Sequence, residues 1–261
     1  MATHSESHAE HPHFHAPSHW EWSTAPTLIV LGIFFSIPLA FAGHFVYHNS
    51  LMTSVFAGLG VPVLLWGISQ WVSEGINSPE SHHHGLSKVG LPIFIVSEVW
   101  IFIGLFSAYW ALRLMAAQWP PDGTPHIGTN LPIIMTILLV SSSATIHVAE
   151  EKLEEGDVGG MKTWLILTLL LGTVFLGCTL TEYSKLIGEG FVPSTNAYST
   201  AFFSITGFHA SHVLVGLVTF LCVLIPALSG KTNKTFLACA SVYWHFVDIV
   251  WFFVVSQIYF W

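Results

Sequence analysis

Glu98 lies about ten residues into an apolar stretch, which at about 1.5 Å per residue places its carboxyl roughly 15 Å along a helix and near the centre of a bilayer. An ionisable group at that depth is costly and marks one of two chemistries. One is a proton-linked or gating carboxyl, and the other is a carboxyl that holds two helices together by hydrogen bonding. Position alone fits both. His209 and His212 are three residues apart, as are His245 and Asp248, so each pair shares a helix face. Two imidazoles and a carboxylate drawn from two helices would suffice for a metal site. The plainer chemistry, and the expectation, is interhelical hydrogen bonding, with Asp248 paired to a histidine or to a tryptophan N–H. His147 and Glu182 fall near the ends of their apolar stretches and are expected to reach the membrane interface. Cys178, Cys222 and Cys239 sit inside apolar runs and read as small buried hydrophobes. The histidines His4, His8, His11, His13, His15 and His19, and the run His82, His83 and His84, could bind copper or zinc weakly. No spacing among them fixes a geometry, so a solvated tail and loop are expected.

The elements that position these groups follow from composition. Of 261 residues, 52% are hydrophobic and 8% charged, against about 25% charged in an ordinary soluble domain. Apolar runs of about 18 residues or more recur along the chain, as bilayer spans require. Backbone groups in hydrocarbon must be paired internally, and the runs show no alternation, so helices are expected rather than a barrel. A polar tail covers residues 1–26 and lacks the basic and short apolar regions of a signal peptide, so the first span is expected to direct insertion. Two transmembrane helices occupy residues 27–74, a polar loop residues 75–87, and five more helices residues 88–261. The seven spans are expected near 27–47, 51–72, 88–114, 130–149, 162–186, 198–228 and 235–259, with an acidic loop over 150–157. Lys88, Lys152, Lys162, Lys231 and Lys234 fall on the side of the N-terminus, and Arg113 and Lys185 on the other, which places the N-terminus inside. Trp20, Trp22, Trp71, Trp119, Tyr259 and Trp261 suit an interfacial belt. Seven Lys and Arg in a chain of net charge -8 leave no basic stripe for nucleic acid.

The sequence around the buried groups resembles one family. Ser97-Glu98-Val99 ahead of an aromatic-rich helix, Trp119-Pro120-Pro121, Thr181-Glu182-Tyr183, Gly207-Phe208-His209-Ala210-Ser211-His212-Val213 and Tyr243-Trp244-His245-Phe246-Val247-Asp248-Ile249-Val250-Trp251 occur in this order. Together they are similar to subunit III of the haem-copper cytochrome c oxidases, from about residue 85 to the end. The front third departs from it: Gln70-Trp71-Val72-Ser73-Glu74 carries no basic residue where the family commonly has them.

The resemblance implies an all-α membrane protein with a two-helix unit, a five-helix bundle and a V-shaped, phospholipid-filled cleft between them. It implies no haem, copper or other metal in this chain, and partners in the catalytic subunit I and in subunit II, which carry the haems and copper. The implied work is to stabilise the catalytic subunit of a proton-pumping aa3-type enzyme, to sustain proton uptake and to aid oxygen access through bound lipid. Glu98 would be the functional carboxyl near the cleft, and Trp66, Trp71, Trp100 and Phe102 its lipid-facing and interfacial aromatics. His147, Glu182, His209, His212, His245 and Asp248 would serve interhelical and subunit contacts. A bacterial inner membrane is expected, ahead of a mitochondrial one. The alternatives at this point are subunit III of a quinol oxidase, and a secondary transporter or proton channel using Glu98. A redox subunit would need more ligand histidines than the spans supply.

Overall fold

A computed structural model describes residues 23–77 and 86–260. The two histidine-rich stretches lie outside the described residues. Among the described residues the secondary structure is entirely helical, and seven helical spans are long and apolar enough to cross a membrane. The chain divides into two compact units, Met1–Glu74 and Gly75–Trp261.

In the first unit, α1 (Ala25–Phe34) continues through two π-helical stretches, Phe35–Leu39 and Ala42–Val46. Pro38 lies inside the first of these and has no N–H to give to the helical ladder, a common cause of local rewinding. His48, at φ 48°, occupies the left-handed region in the turn that follows. Asn49 Oδ1 accepts the Met52 N–H at 3.0 Å at the start of α2 (Ser50–Asn77). The two helices pack backbone to backbone at glycines. A Cβ on Gly32 would come within 2.5 Å of the Leu64 backbone. Small residues allow such close approach in lipid, where apolar surface gains little from mere association.

The second unit holds α3 (Leu86–Met115), α4 (Asn130–Glu154), α5 (Val158–Gly188), α6 (Ala197–Leu228) and α7 (Lys234–Tyr259). α4 packs along α5, α7 lies against both α4 and α6, α5 contacts α6, and α3 covers α6 with a smaller contact to α7. The starts of three helices are capped by side chains. Asp157 accepts from Gly160 N, Asn196 from Ser199 N in a capping box, and Asn233 from Phe236 N. The stretch expected as an acidic loop is mostly helix: α4 runs on to Glu154 and α5 starts at Val158. The charges are accommodated at the helix end, where Lys152 Nζ meets Glu155 Oε2 at 2.7 Å and the Asp157 cap begins the next helix.

Trp244 is the centre of this bundle. Its side chain is fully buried, and its indole fills the space left by two glycines. A Cβ on Gly172 of α5 or Gly216 of α6 would lie 2.8 Å and 2.6 Å from ring atoms of Trp244. Tyr109, Phe175, Phe191, Phe202 and Phe220 complete the packed interior, while residues such as Ile93, Ile137, Leu170 and Ile225 face outward from their helices.

Candidate functional site: a carboxyl–imidazole pair in the five-helix unit

α3 sets Glu98 against α6. Glu98 Oε2 lies 3.1 Å from His212 Nε2, and the two side chains are 16% and 9% exposed. His212 Nδ1 lies 2.9 Å from the Phe208 carbonyl oxygen one turn earlier. A carbonyl only accepts, so Nδ1 carries a hydrogen and Nε2 faces the carboxyl. A proton between Glu98 and His212 then makes either an acid donating to a neutral imidazole or a carboxylate paired with an imidazolium. Both states have zero net charge, and this makes the pair tolerable in an apolar bundle, where a lone charge would not be.

The pair is walled by rings. Phe208 and Phe102 lie 4.6 Å and 5.2 Å from the imidazole, centroid to centroid, and Phe246 lies 6.3 Å away. Tyr243 stacks beside the imidazole and donates its hydroxyl to the His212 carbonyl at 3.2 Å, tying α7 to α6. Phe102, expected as a lipid-facing aromatic, is 3% exposed and belongs to this wall. Its position on α3 turns it toward His212, one turn from Glu98, and leaves it no outward face. Trp100, on the other side of α3, is exposed, as are Trp66 and Trp71 in the first unit.

The remaining polar residues fall into separate places. His245 Nδ1 lies 3.1 Å from Ser143 Oγ, an α7–α4 contact. His147 is exposed and lies 3.9 Å from Glu151 on its own helix. Glu182 does not reach outward as expected: it is buried, and Tyr259 at the end of α7 donates to it at 2.6 Å. The expected pairing of Asp248 with a histidine or a tryptophan N–H is also absent. The N–H groups of Trp244 and Trp251 donate instead to Ser142 and Thr136 of α4, each at 2.9 Å, and His212 is taken by Glu98. Asp248 and His209 are buried with no hydrogen-bond partner among the described residues. His209 lies against Trp251, ring centroids 5.2 Å apart, and edge-on to Phe175.

Sequence reasoning singled out Glu98 and His212 but did not join them, because 114 residues separate them. It also passed over the hydroxyl acceptors Thr136 and Ser142, the Ser143 hydroxyl beside His245, and the contact of Ser241 with Glu150. The one-turn spacing of Ser241 and His245 placed these two on one face of α7 but gave no signal that this face meets Glu150. Among the described residues no group of three or more His, Cys, Asp and Glu side chains is placed to hold a metal ion.

These features define a class: a polytopic α-helical membrane protein whose five-helix unit encloses a carboxyl–imidazole pair. Residues 11–261 match the family described as cytochrome c oxidase subunit III. The chain is 39% identical to cytochrome c oxidase subunit 3 of Thermostichus vulcanus, covering 69% of this chain and 90% of the relative. It is 34% identical to that of Synechocystis sp., covering 82% and 94%, and 30% identical to that of Allomyces macrogynus, covering 96% and 93%. The chain belongs to the cytochrome c oxidase subunit III family, and so to a multisubunit haem-copper oxidase.

Proposed function

We propose that this chain is the non-catalytic subunit III of a proton-pumping aa3-type cytochrome c oxidase in aerobic respiration. It packs beside subunits I and II, which hold the haems and copper, steadies the catalytic subunit and sustains its proton uptake. Its N-terminus lies on the cytoplasmic side of a bacterial inner membrane. Bound phospholipid covers exposed aromatic surface, for which Trp66, Trp71 and Trp100 are each suited, and offers oxygen an apolar route.

The observation that carries this reading is the Glu98–His212 pair. It is hydrogen-bonded across two helices, walled by aromatic rings and joined to α7 through Tyr243. Such a pair is suited to holding α3 on the bundle, so Glu98 serves helix structure first, and any effect on oxygen or proton delivery follows from that. The experiment is to purify the oxidase with Glu98→Ala and Glu98→Gln and measure retained phospholipid and the number of turnovers before inactivation. Glu98→Ala, which deletes the bond to His212, shortens the turnover lifetime and loses lipid. Glu98→Gln, which keeps an N–H for His212, does so much less. Equal defects in both would instead favour a proton-carrying carboxyl, and no defect in either would end the reading.

A further inference from the structure

The seam between α4 and α7 contains a connected polar chain separate from the pair on α3 and α6. Glu150, one turn before the end of α4, accepts the Ser241 hydroxyl at 2.6 Å. Ser241 Oγ lies 3.4 Å from His245 Nε2, and His245 Nδ1 lies 3.1 Å from Ser143 Oγ. Ser241 is 1% exposed. Ser143 and Glu150 are two turns apart on α4, so the chain covers about 10 Å of helix axis and ends about 16 Å from Glu154. That is well inside the apolar length of α4.

Donor and acceptor counting orients the chain. Ser241 has one hydrogen and gives it to Glu150, so toward His245 it can only accept, from Nε2–H. A neutral imidazole then leaves Nδ1 bare, and the Ser143 hydroxyl donates to it. Every hydrogen points toward Glu150. The charged groups of this region collect at the same end: His147 with Glu151, Lys152 with Glu155, and Lys234 on the Glu154 carbonyl. This is where a membrane helix meets water and headgroups. Facing His245 are Ser143, His147 and Glu150 from α4 and Ser241 from its own helix, with Asp248 three residues further on.

We propose that Glu150, Ser241 and His245 form a proton relay through which the part-buried His245, on the α4–α7 seam, exchanges protons with the membrane surface. The relay runs in the other neutral tautomer of His245, with its hydrogen on Nδ1 toward Ser143 and Nε2 bare: a proton bound to Glu150 is then donated to Ser241, and Ser241 turns its own hydrogen toward Nε2. Transfer breaks the Glu150 Oε2–H bond and the original Ser241 Oγ–H bond, and forms a new Ser241 Oγ–H bond and a His245 Nε2–H bond. A neutral acid and a neutral imidazole become a carboxylate and an imidazolium, with the serine regenerated. The reverse shift returns the proton. The relay uses different helices from Glu98 and stands or falls independently of the role proposed for that residue.

The test is solid-state NMR of the oxidase complex in bilayers with 15N-labelled histidine, reading the exchange of the His245 Nε2 proton with D2O. Ser241→Ala is expected to slow that exchange by about tenfold or more, as loss of a positioned proton carrier does, and Glu150→Gln to slow it as well. Ser241→Thr, which keeps the hydroxyl, restores it. His147, exposed at the same end, exchanges quickly in every variant. An unchanged rate in Ser241→Ala, a His245 proton that does not exchange in the wild type, or a threonine variant as slow as alanine would overturn the relay.

Discussion

His212 gives one ring nitrogen to the Phe208 carbonyl and the other to Glu98, so the imidazole is fixed at both ends while the carboxyl is held from one. This asymmetry sets the consequence of altering either partner. His212→Leu strands Glu98 as a part-buried carboxyl that has lost its bond to His212, whereas Glu98→Gln keeps an N–H that Nε2 can accept. Stranding a buried polar group costs about 1–3 kcal/mol. His212→Leu is therefore expected to lower the temperature at which this subunit leaves the purified oxidase by several degrees more than Glu98→Gln does. Thermal dissociation followed by gel electrophoresis reads the difference.

The glycines around Trp244 make a second prediction. Gly216→Ala sets a methyl within 2.6 Å of an indole atom that has nowhere to retreat, because Gly172 closes the other side. Overpacking of this kind costs about 1–3 kcal/mol. The Trp244 N–H bond to Ser142 is expected to break with it, and a shifted N–H stretch of that indole in vibrational spectra is the signature. An unshifted band in a stable variant would mean that α6 gives way instead.

Tyr259→Phe removes the hydroxyl that donates to Glu182 and leaves the ring in place. The expected loss is about 1–3 kcal/mol, the cost of leaving a buried acceptor unmet. Tyr259→Phe combined with Glu182→Leu, which removes both polar groups, is expected to recover much of it. A double variant no better than the single one would show that Glu182 has other work.

Thr136→Val deletes the acceptor for the Trp251 N–H while preserving shape. Interhelical hydrogen bonds in membranes are worth about 0.6 kcal/mol on average and rarely above about 1.7 kcal/mol. The variant should assemble normally and show only a small fall in unfolding temperature.

The spans were legible in the sequence because hydrocarbon leaves the chain few options: an apolar run of sufficient length must be a helix. The end of α4 was less so. Glu150 to Glu154 read as loop by their charge, yet they extend the helix, because its last turns emerge where charge is tolerated and Asp157 caps the next helix. Pairing was the least legible feature. Spacing tells which residues share a face of one helix, as with His209 and His212, but not which helix that face meets. Asp248 shows the limit: a histidine or a tryptophan N–H was expected to serve it, but the tryptophans of its own helix, Trp244 and Trp251, are each taken by a hydroxyl on α4.

His209 and His212 sit less than one turn apart on the same helix and have opposite characters. The Phe208 carbonyl locks His212 into one tautomer. His209 is pressed against Trp251, and among the described residues neither of its nitrogens has a hydrogen-bond partner. Its contacts there are ring to ring, with Trp251 and Phe175, so within the five-helix unit it serves as a flat packing ring between α5 and α7.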